Sequence, residues 1–227
     1  MIELKDVSKV FQNGVEALLN INLHIGREEF VFLVGPSGAG KTTLMKLLYR
    51  EESPSIGEVI VDRIKVNEIK EEQIPFLRRN IGVVFQDYKL LLRRTVYENV
   101  AFALQVTGAP RSQIRRLTMQ ALELVGMVKR AKSFPNELSG GEKQKTCIAR
   151  AIVNNPPILL ADEPTGNLDP QTSWDIMELL DKINRRKTTV LVSTHNKNIV
   201  DGMKKRVVAI EGGRITRDQQ LGMYSQQ

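Results

Sequence analysis

An α/β protein with a parallel-rich sheet, a separate β region at the N-terminus and a mostly helical insertion is what this sequence predicts. Three observations carry the prediction. Short, continuously apolar runs alternate with helix-like segments, as in buried parallel strands joined by helices. One of these runs, Phe30-Val31-Phe32-Leu33-Val34, ends at a glycine-rich turn that leads into a segment of helical composition, Thr42 to Arg50. From about Thr95 to Arg150 the apolar residues change to helical spacing.

In chain order, Ile2 to Val7 and Asn20 to Ile25 alternate like half-buried strands, and Gly57 to Val66 alternates again. Ile81-Gly82-Val83-Val84-Phe85 reads as a buried strand. Val96, Val100, Ala103 and Leu104, then Leu117, Ala121, Leu122 and Val125, mark two helices of the insertion. Buried strands return at Ile158 to Ala161, Thr189 to Val192 and Val207 to Ile210, with a helix over Ser173 to Asn184 between the first two. The polar stretch Asp218 to Gln227 is expected to fray.

At 227 residues the chain suits one α/β domain with an inserted lobe. Its hydrophobic fraction of 41% and charged fraction of 26% are those of a globular protein. No run approaches the roughly 18 apolar residues of a membrane span, and the N-terminus lacks the pattern of a signal peptide. The single cysteine, Cys147, excludes an intramolecular disulfide, fits a reducing compartment and reads as core filler. The net charge of +7 would suit nucleic acid or anionic lipid headgroups. Aromatics are only 5% and no basic stretch interleaves with them, so a nucleic-acid partner is not expected.

Gly35-Pro36-Ser37-Gly38-Ala39-Gly40-Lys41-Thr42 fits G-x-x-x-x-G-K-[ST], with the required strand before it and helix after it. In that context backbone amides and a helix N-terminus face phosphate oxygens. Lys41 can reach the β- and γ-phosphates, Thr42 can ligate Mg²⁺, and Thr43 can support the α-phosphate. A second acidic signal closes the apolar run Ile158 to Ala161: Asp162 for the shell of Mg²⁺ and Glu163 as the general base toward water. Adjacent strand residues point opposite ways, so the two acids need different roles unless the strand has ended. Leu138-Ser139-Gly140-Gly141-Glu142 is a further glycine-rich helix start, before a helix-like run from Lys143 to Asn154. Standing alone it would be only a capped helix.

With these motifs in this order, the chain resembles the nucleotide-binding domain of ABC ATPases along nearly its whole length. Ser139, Gly140, Gly141 and Glu142 look like the family signature, whose last residue is usually Gln. Gln86 matches the Q-loop glutamine, Asn167-Leu168-Asp169 the D-loop, and His195 the switch histidine that contacts the γ-phosphate. Phe11 stands where the family has an aromatic residue stacking on adenine. Without the resemblance, His195 would read as structural, Gln86 as a surface amide and Phe11 as core. One departure is Lys143-Gln144-Lys145-Thr146, where Gln-Gln-Arg is more typical. Lys145 keeps the charge but lacks guanidinium geometry.

The resemblance implies a RecA-like P-loop core, an N-terminal antiparallel β subdomain and an inserted helical subdomain over about 88–155, all within one ATP-binding domain, 1–227. It implies hydrolysis of ATP with Mg²⁺ held by Thr42, Gln86 and Asp162. It also implies an ATP-dependent homodimer, in which the signature of one copy meets the ATP of the other, and an integral membrane partner at the cytoplasmic face of the membrane. Stretches such as Val84 to Leu91 and Phe134 to Glu142 are similar to the branch that acts in bacterial cell division and, through its membrane partner, on peptidoglycan hydrolases. Exporter and lipoprotein-releasing ATPases share Glu163 to Asp169, and soluble members of the family act on nucleic acid or ribosomes.

Overall fold

The computed structural model describes residues 1–224. β3 (Phe30–Val34) lies near the middle of a six-stranded sheet of order β10-β9-β3-β8-β7-β6. Its other members are β6 (Ile81–Val84), β7 (Ile158–Asp162), β8 (Thr189–Ser193), β9 (Arg206–Glu211) and β10 (Arg214–Gln219). All pairings are parallel except that of β10 with β9. Every residue of β3 and of β8 is buried, as continuous apolar runs require of strands covered on both faces. The alternation within β3 divides the core. Phe30, Phe32 and Val34 join one cluster with the helices, and Val31 and Leu33 join the other.

The second sheet is antiparallel, of order β2-β1-β4-β5, from β1 (Ile2–Val10), β2 (Glu16–Ile25), β4 (Ile56–Val61) and β5 (Ile64–Lys65). Its buried Ile2, Leu4, Leu18, Ile21 and Val59 pack in the cluster that holds Val31 and Leu33, together with α1 (Lys41–Leu48). Three helices supply most of the insertion: α3 (Val96–Val106), α4 (Arg111–Leu124) and α5 (Gly140–Ile152). Thr95 caps α3, accepting from the Glu98 amide while the Glu98 carboxylate accepts from the Thr95 amide, which satisfies two otherwise free donors. Val100, Leu104, Leu122 and Ile148 bring the three helices into the first core cluster.

Several expectations shift in the structure. β2 begins at Glu16 rather than Asn20, and α5 begins at Gly140 rather than Lys143, because Ser139 caps it. α6 (Pro170–Asn184) starts three residues before Ser173, with Asp169 as cap and a proline at its first position. Two short helices, α2 (Ile74–Arg79) and α7 (Lys197–Met203), lack an apolar period long enough to announce them. The expectation of fraying from Asp218 is corrected: Asp218 and Gln219 belong to β10, which pairs with β9 and carries no buried residue. A strand held by main-chain bonds leaves little trace in hydropathy. Residues 225–227 of that stretch lie outside the described residues.

Cys147 is buried on α5, and its Sγ donates to Tyr88 O at 3.0 Å. Burial raises its thiol to about 12. A raised pKa keeps the group a neutral thiol through the physiological range, and the thiolate is the reactive form. At pH 8 the folded protein is expected to react with an aromatic disulfide reagent at least about a hundredfold more slowly than the urea-denatured chain. Equal rates would place the thiol outside the core.

Candidate nucleotide-binding site

Four parallel strands end at one edge of the large sheet, and each delivers part of the site there. β3 runs into the loop 35–40 and then α1. β6 runs toward Gln86, β7 into Asp162 and Glu163, and β8 into Ser193, Thr194 and His195. The carboxyl edge of a parallel sheet is where ligands bind in open α/β folds, because the loops there have room to diverge. A cavity of about 610 Å³ opens at this edge. Ser37, Gly38, Ala39, Gly40, Lys41, Thr42 and Thr43 line it together with Gln86, Glu163, His195 and Phe11. Gly35 and Pro36 lie beneath the loop and face a different cavity.

The helix start explains the loop. Gly40 occupies the N-cap of α1 with φ of 107°, and no side chain caps the helix. The first amides of α1 therefore face the cavity's loop side without a side-chain acceptor, an arrangement suited to phosphate. Lys41 is buried, and its Nζ donates to Gly35 O (2.8 Å) and Pro36 O (2.9 Å), so the ammonium lies across the loop. Thr42 Oγ1 donates to Asp162 Oδ2 at 2.8 Å, joining the helix start to the end of β7.

Gly35 has φ of +146°, and a Cβ there would stand 2.1 Å from Ile210 O, a main-chain atom of β9. Gly35→Ala is therefore expected to lower unfolding free energy by about 2–4 kcal/mol, through backbone strain and forced separation of β3 from β9. A urea transition at wild-type position would contradict that.

The two acids do take different positions, and the reason is that the strand has ended. Asp162 is the last residue of β7, and Glu163 adopts a left-handed φ of 47°. The Glu163 amide donates to Ser193 O (3.1 Å) and to Ser193 Oγ (3.2 Å), and the same hydroxyl donates to Asp162 Oδ1. This buried serine, not singled out in the sequence, fixes both acids. Its signal was a polar residue closing the apolar run Val190 to Val192. Glu163 Oε2 stands 2.9 Å from Nδ1 of His195, whose side chain is largely exposed. Gln86 Nε2 reaches the turn after Glu163, close to Gly166.

Ser139, Gly140, Gly141 and Glu142 do not line this cavity, nor do Asn167, Leu168 and Asp169. The two groups pack on each other instead. Gly140 faces Leu168 and the Tyr88 hydroxyl, and Gly141 lies against Thr172. Glu142 is taken up locally: it accepts from the Ser139 amide (2.9 Å) and from Arg130 Nε (2.9 Å), which hold its carboxyl below the usual range. Ser139 Oγ accepts from the Glu142 amide, and Asp169 caps α6.

Mg²⁺ suits the donors present. It prefers hard oxygen ligands and usually takes most of them from phosphate and water, with one or two carboxylates from protein. Asp162, Thr42 and Gln86 provide a carboxylate, a hydroxyl and an amide. Among the described residues no group of three His, Cys, Asp or Glu forms a metal cluster, so an all-protein cage is not what this site offers.

A phosphate loop at the carboxyl edge of a parallel sheet, with a helical insertion and a second glycine-rich helix start beside a D-loop, defines an ATP-binding cassette. Residues 18–166 match the ABC transporter family model, and the chain belongs to that family. It is 55% identical to the cell division ATP-binding protein FtsE of Bacillus subtilis, across 99% of this chain and 98% of that protein. The protein of the same name in Mycobacterium tuberculosis is 52% identical over 99% and 98%, and that in Escherichia coli 45% identical over 95% and 97%. Among solved structures, a dimeric ATP-binding cassette in a post-hydrolysis state bound to ADP and Pi superposes with a TM-score of 0.89. It is 37% identical, with 98% of this chain and 99% of that chain covered. The cbiO1 subunit of a Clostridium perfringens ABC transporter complex also scores 0.89, at 30% identity over 96% and 88%.

Proposed function

We propose that this protein binds and hydrolyses MgATP between two copies of itself, and uses the cycle to drive an integral membrane partner of the FtsX kind in cell division. The observation that carries the chemistry is the convergence of Lys41, Thr42, Gln86, Glu163 and His195 on one cavity, with Asp162 behind it, bonded to Thr42. Phe11 in the cavity lining offers a face for adenine, with Lys9 Nζ 4.9 Å from its ring centroid. The loop amides and Lys41 stabilise charge on the transferring phosphoryl group. Thr42, Asp162 and Gln86 would hold Mg²⁺, which would supply charge neutralisation at the phosphates. Glu163 takes the proton of the attacking water. His195, beside Glu163 Oε2, holds that carboxylate and meets the γ-phosphate.

Geometry also favours a composite site. Ser139 and the start of α5 form a second anion-binding surface that its own chain does not use. Facing the ATP of a second copy, Ser139, Gly140 and Gly141 would close the γ-phosphate side. Asn167 and Leu168, packed on Gly140, would report that contact toward Glu163.

A membrane partner is supported by a second cleft of about 530 Å³ between α2, β6, α3 and α5. Arg78, Arg79, Lys89 and Arg150 line it with Phe85, Leu91, Phe102 and Val106, and no acidic residue does. An amphipathic segment with acidic residues fits that surface. Phe85 lines this cleft while the next residue, Gln86, lines the nucleotide cavity. One strand end thus touches both. No helix among the described residues is long and apolar enough to cross a membrane, so a peripheral position would come through the partner.

The test is affinity capture of tagged protein from detergent-solubilised native membranes with MgATP. Recovery of an FtsX-like membrane protein with wall hydrolases is the expected result. A permease with exporter accessories would move the role to transport. Recovery of ribosomal material alone would contradict membrane coupling.

A further inference from the structure

The start of α5 carries a conflict of charge. Ser139 Oγ accepts from the Glu142 amide (3.2 Å), which leaves the amides of Gly140 and Gly141, the first two of the helix, for an outside acceptor. Negative charge is favoured at such a helix start, and phosphate and carboxylate compete for it. Glu142 already brings a carboxylate to the same turn, where Oε2 accepts from the Ser139 amide at 2.9 Å. The Ser139 amide most of all, and then the Arg130 guanidinium, outweigh partial burial and hold the carboxyl below its usual range, so Glu142 is ionised at neutral pH. A phosphate arriving at this turn would meet a like charge.

Arg130 answers that charge from another part of the insertion. Its Nε donates to Glu142 Oε1 at 2.9 Å, and among the described residues it is the only cation in ion-pair contact with this carboxylate. Lys143 is next in sequence, but adjacent residues of a helix do not face each other. The turn Val128–Arg130 that carries the guanidinium is set by main-chain bonds: Met127 N to Leu122 O (2.8 Å), Arg130 N to Met127 O (3.0 Å) and Ser133 N to Arg130 O (2.9 Å). The Tyr97 amide donates to Ala131 O (2.9 Å) and joins this stretch to α3. Both side chains stay partly open to solvent, 50% for Arg130 and 25% for Glu142. A pair so exposed adds little to stability. Arg130 takes no part in the lining of the nucleotide cavity.

We infer that Arg130 is a positioning residue for the contact between copies: its guanidinium offsets the Glu142 carboxylate, and so leaves the start of α5 able to take the γ-phosphate held by a second copy. The inference rests on the reading of a composite MgATP site between two copies. Two such sites form in one dimer, so loss of the cation acts twice. Because Arg130 lies outside its own copy's cavity, the effect falls on association and not on the affinity of a single copy for nucleotide.

Sedimentation velocity of the full chain carrying Glu163→Gln, as parent, with MgATP gives the dimer dissociation constant that decides this. Adding Arg130→Ala is expected to raise that constant by at least about tenfold at low salt. At about 0.5 M salt the gap is expected to close to within about threefold, because surface charges are then screened. Adding Glu142→Gln to Arg130→Ala is expected to return the low-salt constant to within about threefold of the parent, since the amide still accepts from Ser139 and carries no charge. The affinity of a single copy for MgADP is expected to stay that of the parent throughout. Glu142→Gln alone carries the test if Arg130→Ala folds poorly: with the cation kept and the carboxylate gone, the dimer is expected to be at least as tight as the parent's. An unchanged constant in Arg130→Ala, or a loss that Glu142→Gln does not restore, would reduce Arg130 to a packing residue and overturn the inference. A weaker dimer in Glu142→Gln alone would overturn it too. A parent that binds MgATP but stays monomeric would bring down the composite site first, and this inference with it.

Discussion

Glu163→Gln is expected to lower steady-state phosphate release by at least about tenfold while leaving MgATP binding intact. Removal of a general base typically costs 10²–10⁴-fold, and tenfold is a conservative floor where water retains some reactivity. The geometry supports a clean effect. The Glu163 main chain is fixed independently of its carboxylate, by two bonds from its amide to Ser193. An isosteric amide can therefore occupy the same place, 2.9 Å from His195 Nδ1 in the native chain, without disturbing Asp162 or the phosphate loop. Near-normal turnover would remove Glu163 from the chemistry. Loss of binding together with turnover would mean that the carboxylate serves the structure of the site instead.

Lys41→Ala should act on the earlier step. Lys41 is the only buried lysine or arginine among the described residues, and its Nζ is held by two carbonyls of the loop that it would serve. A charge-assisted contact to phosphate is worth about 1.5–3 kcal/mol, so affinity for MgATP is expected to fall by roughly tenfold to a hundredfold. Removal also leaves Gly35 O and Pro36 O without their donor, which loosens the loop that presents the amides. Titration calorimetry with MgATP reads both effects together. Affinity within about twofold of wild type would contradict the cradle, because no other ammonium lines the cavity.

Elements and site were legible to different degrees, for identifiable reasons. β3, β7 and β8 are buried on both faces, so hydrophobicity alone marks them. The phosphate loop and the Asp162-Glu163 pair could be read because their chemistry depends on residues close together in sequence. What could not be read was convergence. Ser193 meets Asp162 and Glu163 from a strand some thirty residues away, and nothing local distinguishes it from any polar residue closing a strand. Glu142 illustrates the reverse case. The resemblance placed it among the residues that meet a partner's ATP, and the structure commits its side chain to the cap of α5 and to Arg130. A glutamine in the same position could accept from the Ser139 amide too, but could not form the ion pair.

Tyr88 and Lys89 show a further limit. Both take left-handed φ values, 61° and 48°, which hydropathy does not encode. Arg150 of α5 holds this turn by donating to Lys89 O (2.5 Å) and Tyr88 O (2.8 Å). Strain of this kind persists only where surrounding contacts over-determine it. Here those contacts come from α5, the helix that Ser139 caps, so the segment after Gln86 is bonded directly to that helix. The C-terminal segment 222–224 was missed for a similar reason: its anchors are main-chain atoms and two distant side chains, Asp201 and Arg217.

The central claim is that two copies close around ATP and that hydrolysis reopens them. Sedimentation velocity of Glu163→Gln with MgATP, against the same protein with MgADP, tests this most directly. The account predicts a dimer with MgATP and a monomer with MgADP, because only the γ-phosphate connects Lys41 of one copy with Ser139 of the other. A monomer under both conditions, with nucleotide bound, would contradict the composite site.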